Sequence, residues 1–297
     1  MIKRFLFIIF ILFPQTSFSN NDDDFKVWLE EFKVLAIKKG ISEETVNLTF
    51  KKARYLPKVI EYDRRQPEFF EDTKTYIKKR ATRSRTLEAK KLFFKNKKLF
   101  NEIESKFNVE KEIILALWGI ETNFGKYVGK MDIISSLATL SYDKRRSKFF
   151  SKELLTLLNL IDRNLIFIDT LFGSWAGAFG NFQFMPSTID QYAIDYDNNK
   201  KIDLKNSLDD SVASAANYIN KIGWKAGSPC FYKVKITKKI NDKYINTSAK
   251  NIKNKLSIKT WKKKGIVFID DAVVEDTEKA ALILPDGNAE SPAFLVF

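Results

Sequence analysis

A chain of 297 residues, 44% hydrophobic and with 26 Phe, has material for one large globular core or two modest ones, which excludes a disordered or fibrous polymer. With no His and a single Cys, a Ser-His-Asp triad, the common zinc sites and an intramolecular disulfide are excluded as well. The 51 Lys and Arg against 37 Asp and Glu leave a net charge of +14, which either steers the chain toward an anionic partner or serves plain solubility.

The chain opens "MIKRFLFIIFILFPQTSFS". A basic Lys3-Arg4 start, a short apolar stretch, Pro14 and the small residues Ser17 and Ser19 read as a cleaved secretory signal over residues 1–19. A membrane anchor is the alternative, but the stretch falls short of the roughly 20 residues a span requires. Cys230 lies far from the signal's end, so a lipid-modified N-terminal Cys is excluded. The bacterial periplasm is the expected destination. A chain exported there meets cell-wall polymer or anionic lipid before it meets nucleic acid, so peripheral wall or membrane association is expected and nucleic-acid binding is not. Cys230 itself reads as a small buried hydrophobe rather than a nucleophile, there being no His to activate it.

Residues 20–107 form an N-terminal helical region with amphipathic runs "FKVWLEEFKVLAIKKG", "SEETVNLTFKKA" and "TLEAKKLFFKNKKLFNEIESKF". Gly40 stands where a C-cap belongs, and Ser42 with Glu44 and Thr45 begins the second helix. Between the second and third runs lies "VIEYDRRQPEFFEDTKTYIKKR", dense in charges and aromatics.

Residues 108–228 alternate helices with Gly, Ser and Asn-rich turns. Their first helix is expected to open at Asn108 as N-cap, with Glu110 and Glu112 in its first turn, and to end on Glu121. Residues 229–297 change character: "FYKVKIT", "GIVFIDD", "AALILPDG" and "AFLVF" are short, β-prone and separated by turn residues, so a small β-containing segment follows. The fold class is α+β, predominantly helical.

Three stretches carry candidate chemistry. In "ALWGIETNFGKYVG" the side chain of Glu121 shares a helical face with Leu117, Ile114 and Ile113, a setting that resists ionisation and suits a general acid, although an ordinary structural Glu fits the same pattern. "GSWAGAFGNFQFMPSTIDQY" combines Gly173, Gly177 and Gly180 with aromatics, Gln183 and Ser187. That mixture suits a polysaccharide groove, or a glycine-rich loop packed on its own Phe and Trp. "DYDNNKKIDLKN" sets Asp195, Asp197, Asn199 and Asp203 at positions 1, 3, 5 and 9 of an EF-hand-like loop, with Asp210 close behind. Lys200 replaces the usual Gly and Asn206 the bidentate Glu, so a metal-free Asx-rich turn fits as well.

Taken together, "DRRQPEFF", "LALWGIETNFGKYVG", "SLATLSYDKRRSKFF", "GSWAGAFGNFQFMPS" and "ANYINKIGW" resemble the B-type lytic murein transglycosylases, glycoside hydrolase family 103, in order and spacing. The resemblance implies a lysozyme-like core with a helical surround that cuts the β-1,4 bond between N-acetylmuramic acid and N-acetylglucosamine and leaves 1,6-anhydromuramoyl ends. By position in "GIETNFG", Glu121 matches the family's single catalytic acid. The resemblance further places Tyr76, Arg145, Arg146, Ser174, Gln183 and Tyr218 along the substrate groove, the arginines suiting peptide or lactyl carboxylates by charge. It implies no required cofactor. Asp195, Asp197, Asn199, Asp203 and Asp210 fall where some members bind a structural calcium ion. The partner is the glycan strand of peptidoglycan, and the chain is expected to act as a monomer.

The sequence departs from the family at Phe179, Asn181 and Ala89, which read as tolerable variations. Family members also continue beyond a stretch like "PAFLV" to complete one wall of the groove, whereas this sequence stops at Phe297, so a more open groove or a truncated copy is expected. A hydrolytic muramidase and a non-catalytic peptidoglycan-binding protein are the competing readings.

Overall fold

The structure is a computed structural model that describes residues 21–65, 71–227, 229–269 and 273–297. The signal expected over residues 1–19 and residues 66–70 of "DRRQPEFF" lie outside the described residues.

Among the described residues six helices come first: α1 (Asn21–Lys38), α2 (Glu43–Phe50), α3 (Pro57–Arg64), α4 (Thr73–Arg80), α5 (Arg83–Lys95) and α6 (Lys97–Phe107). Gly40 turns the chain after α1 at φ +92°, and Ser42 Oγ accepts from Thr45 N to begin α2, both as the sequence suggests. The third amphipathic run is not one helix. It breaks at Asn96, whose side-chain Nδ2 donates to Leu92 O at 3.0 Å, turning the chain from α5 into α6.

Next comes α7 (Lys111–Thr122), then a two-strand ladder of β1 (Met131–Asp132) and β2 (Phe172–Gly173) around α8 (Ile133–Tyr142) and α9 (Ser147–Asp162). The expected N-cap of α7 is corrected. Asn108 is left-handed at φ 52° and ends α6, while α7 begins after Glu110, whose carboxylate instead accepts from Trp224 Nε1 and Gly227 N at 2.6 Å each. A left-handed Asn suits a helix C-terminus because its short polar side chain tolerates that conformation.

Helix α8 is buried along nearly its whole length and packs on α9. Its small polar residues let neighbouring backbone approach: Ser135 Oγ accepts from Arg54 N at 3.2 Å and Thr139 Oγ1 from Leu56 N at 3.0 Å. Helices α10 (Pro186–Tyr192) and α11 (Leu208–Lys221) complete the helical part. One hydrophobic cluster runs from Phe25 to Ile219, across the boundary expected at 107/108.

The remaining residues form β3 (Phe231–Ile236), β4 (Ile245–Asn246), β5 (Leu256–Ser257), α12 (Ile258–Lys263), β6 (Ile266–Phe268), β7 (Lys279–Ile283) and β8 (Ala293–Val296). The sheet order is β4-β7-β8-β3-β6, with β5 on β7; β4 pairs β7 in parallel and the other pairs among the described residues are antiparallel. Three of the four longer strands fall within the β-prone stretches and β7 starts one residue before its own, whereas α12 is not among the expected elements; it supplies Trp261, the fully buried centre of a second hydrophobic cluster. Cys230 is exposed, not buried, at the entry to β3. The sheet is tied back to α4, where Thr73 N and Oγ1 donate to Asp286 Oδ1 at 3.0 and 2.6 Å.

Trp261 Nε1 also donates to Ala280 O at 2.8 Å, so Trp261→Ala leaves a cavity and removes that hydrogen bond. The expected loss is about 3–5 kcal/mol in urea melts followed by circular dichroism.

Candidate active site

Helix α7 carries Glu121 in its last turn and stops abruptly. Asn123 and Phe124 both adopt left-handed backbone, at φ 50° and 61°, and Phe124 N reaches back to Trp118 O at 3.1 Å. The buried side of α7 runs through Ile114, Leu115, Trp118 and Thr122. Glu121 lies at the rim of that side, not within it, and is exposed, with no hydrogen-bond or ion-pair partner among the described residues. The surrounding protein still removes enough water to hold its carboxyl above the ordinary Glu value, and desolvation is the cause. No neighbouring carboxylate contributes to the shift.

The end of α7 is fixed by Asn181. Its Oδ1 accepts from Trp118 Nε1 at 2.9 Å, and its Nδ2 donates to Leu204 O, Lys205 O and Ser211 Oγ at 3.1 Å each. Its main-chain oxygen accepts from Thr122 Oγ1 at 2.8 Å, beside Glu121. Gly125 is required next to this network: at φ +80°, a Cβ there would stand 2.6 Å from Asn181 Oδ1.

Three of the expected groove residues belong to the same neighbourhood. Gln183, left-handed at φ 51°, donates Nε2 to Val128 O at 3.1 Å and Gly180 O at 3.0 Å, fastening the glycine-rich loop to the segment after Glu121. Ser174 closes the turn 174–178 through Ala178 N to Ser174 Oγ at 3.0 Å, and its backbone abuts Gly129, where a Cβ would lie 2.7 Å from Ser174 N. The half-buried Tyr218 on α11 packs edge-on against Phe184 of that loop and Tyr192 of α10.

The others sit elsewhere. Tyr76 lies under the Arg80 guanidinium, 4.1 Å from its ring centre, and lines a cleft of about 700 Å³ with Phe93, Leu115 and Ile120 between α4, α5 and α7. Glu121 is not among that cleft's lining residues. Arg145 and Arg146 form a cluster with Asp63 at the end of α3.

In the acidic loop, Asp195, Asp197 and Asp210 bring carboxylate oxygens within 4.8 Å of one another. Asp210 is fully buried and its carboxyl is pushed up, burial being the largest cause. Three hard oxygen donors converging with one of them desolvated fit a calcium-sized cation. Lys200, at the position usually Gly, adopts φ 71°, the backbone that position demands. Asp203 falls outside the group of three; its Oδ1 caps the next turn, accepting from Lys205 N at 3.0 Å and Asn206 N at 2.9 Å. Asn199 Oδ1 accepts from Lys201 N at 2.9 Å.

The transglycosylase SLT domain matches residues 24–297. The chain belongs to that family. It is 41% identical over 122 residues to the membrane-bound lytic murein transglycosylase B of Escherichia coli K12, a match spanning 41% of this chain and 34% of that protein. SltB3 from Pseudomonas aeruginosa, solved in complex with NAG-NAM-pentapeptide, superimposes with a TM-score of 0.82 at 31% identity over 92% of this chain and 72% of that one. The Escherichia coli lytic transglycosylase Slt35, solved in complex with calcium, gives a TM-score of 0.72 at 26% identity over 96% and 89% of the two chains. The resemblance to the B-type lytic murein transglycosylases therefore holds, as does the α+β, predominantly helical, lysozyme-like fold.

In this SLT domain, sequence reasoning undervalued Asn181, read as a tolerable variation, and missed Asp63. Both are polar residues whose burial depends on partners remote in sequence. Replacing Asn181 with Ala strands Trp118 Nε1 and removes the donor to the Leu204 and Lys205 carbonyls, while the Thr122 bond to the main-chain oxygen remains. The expected cost is about 3 kcal/mol, measured by urea unfolding, because buried donors and acceptors lose their partners.

Proposed function

We propose that this protein is a periplasmic lytic transglycosylase that cleaves the bond between N-acetylmuramic acid and N-acetylglucosamine in peptidoglycan. The observation that carries this reading is Glu121, a carboxyl with no cationic partner whose protonated form is favoured by desolvation, at the end of a helix locked to a glycine-rich loop. Membership of the family and likeness to a relative solved with a NAG-NAM-pentapeptide support the substrate class.

The single acid is used twice. Protonated Glu121 donates to the glycosidic oxygen as the bond from that oxygen to muramoyl C1 breaks. The muramoyl C6 hydroxyl then attacks C1 and returns its proton to the Glu121 carboxylate, so no water is consumed and the acid is regenerated. The substrate's N-acetyl group shields C1 in the interval. This departs from the two-carboxylate arrangement of most glycosidases, and it agrees with the absence of a neighbouring carboxylate among the causes of the Glu121 shift.

Residues 108–228 serve as the catalytic core within the helical surround of 20–107, and 229–297 as the small β-containing segment. Ser174, Gln183 and Tyr218 flank the scissile region, Tyr76 and the Arg145-Arg146 pair contact more distant parts of the strand, and the chain works as a monomer. The leader over residues 1–19 delivers it to the periplasm, and no described helix is long and apolar enough to cross a membrane. Asp195, Asp197 and Asp210 hold a structural calcium ion with Asn199 nearby, and no chemical step involves it.

Soluble muropeptides released from purified peptidoglycan, analysed by mass spectrometry, test the reading. Anhydromuramoyl products are expected, with Glu121→Gln reducing their release by at least about 100-fold. Reducing muramoyl ends would instead identify a hydrolase, and binding without release a wall-binding protein.

Initial rates across pH provide a second check. The Glu121 shift is upward, so the required protonated form persists above the roughly pH 4.3 of free Glu, and rates fall as pH rises through the raised value. A limb centred on the ordinary Glu value would contradict the assignment. For the acidic loop, calcium is expected to raise the melting temperature, and both chelator and Asp197→Asn to abolish the increase. Identical melts with and without calcium would remove the metal from this account.

A further inference from the structure

The end of α3 reads Asp63-Arg64-Arg65, and the connection from α8 to α9 reads Asp143-Lys144-Arg145-Arg146. The acid of each stretch takes arginine from the other. Asp63, its side chain only 1% exposed, accepts from Arg145 Nε through Oδ2 at 2.7 Å and from Arg146 Nη2 through Oδ1. Its main-chain oxygen accepts from Arg145 Nη2 at 2.5 Å. In return, Arg64 Nη2 donates to Asp143 Oδ1 at 2.8 Å.

Three guanidiniums thus meet two carboxylates, and one positive charge is left over. The two arginine side chains stay open to solvent, 47% and 38% exposed. Neither Nη1 has a partner among the described residues, while the Arg146 guanidinium rests 4.8 Å over the Phe150 ring. A buried carboxylate is a costly way to tie two loops together, since its desolvation is repaid only by well-placed donors. It is an effective way to hold two flexible cations side by side. An arginine loses much rotamer freedom when it binds a ligand, and a group that has already removed that freedom strengthens binding.

We propose that Asp63 is a positioning residue: by engaging both guanidiniums it sets Arg145 and Arg146 as a fixed pair whose excess charge and free Nη1 donors seat a carboxylate of the peptide-bearing muramoyl unit. This rests on the reading that the arginine pair contacts the glycan strand. Asp63 acts through the arginines and not on the bond that breaks. A purely structural clasp between α3 and the α8–α9 connection would instead affect all ligands alike.

The test is calorimetric binding in a Glu121→Gln background, which keeps the ligand intact, using a disaccharide-pentapeptide fragment of peptidoglycan and a peptide-free chitooligosaccharide. Asp63→Asn is expected to weaken the peptide-bearing ligand about tenfold and the peptide-free one less than about twofold. Asp63→Glu is expected to recover part of the difference. Equal weakening of both ligands, or no change in either, would overturn the proposal. Should Asp63→Asn fail to fold, Arg145→Gln leaves Asp63 paired with Arg146 and must show the same split between ligands; its absence is equally decisive. If the native chain releases no anhydromuramoyl product, the function reading fails on its own assay, while the binding split still reports on Asp63.

Discussion

Everything around Glu121 depends on one buried carboxamide. Asn181 uses its side-chain oxygen on Trp118, its nitrogen on the carbonyls of Leu204 and Lys205 and on Ser211, and its main-chain oxygen on Thr122. Those bonds join the end of α7, the glycine-rich loop and the start of α11, three pieces that no local sequence preference would bring together. Inside a protein such bonds are electrostatically stronger than in water, and leaving any of them unmade is expensive. The acid itself therefore needs no partner; its place is fixed through the residue that follows it.

Glu121 illustrates a division of labour between backbone and solvent. The left-handed pair Asn123 and Phe124 ends α7 within two residues of the acid and turns the chain toward Gly125. The side chain is left at an exposed rim, where a polysaccharide can reach it, yet the bulk behind it still disfavours its charge. Access and a raised pKa are usually in tension, because water that admits the substrate also solvates the anion. Here the carboxyl has protein mass on one side and no cation on the other.

Periodicity made much of the fold legible: the helical runs, the Gly40 and Ser42 signals and the four longer strands are local properties of the chain. Where expectation failed, remote contacts had decided. Asn108 was a plausible N-cap until α6 needed a left-handed ending, and Glu110 faces Trp224 rather than its own helix. Asn96 breaks an amphipathic run that has no internal Gly or Pro to announce it. At the candidate site, the spacing in "GIETNFG" located Glu121, but its position at the rim of the buried side was not legible. Asp203 matched position 9 of a metal loop in sequence and caps a turn in three dimensions. The roles of Asn181 and Asp63 were hidden for the same reason, since a polar residue shows its worth only through partners from other segments.

The bond from Thr73 to Asp286 joins residues 213 positions apart, between the first turn of α4 and the connection from β7 to β8. During synthesis the helix that carries Tyr76 emerges long before its tether does. On the way to assembly, α4 must wait for the β-containing segment before its first turn gains that anchor. Maturation of this flank is thereby tied to the arrival of the segment between β7 and β8, and a molecule interrupted before Asp286 would keep its acid while lacking the anchor for a neighbouring wall.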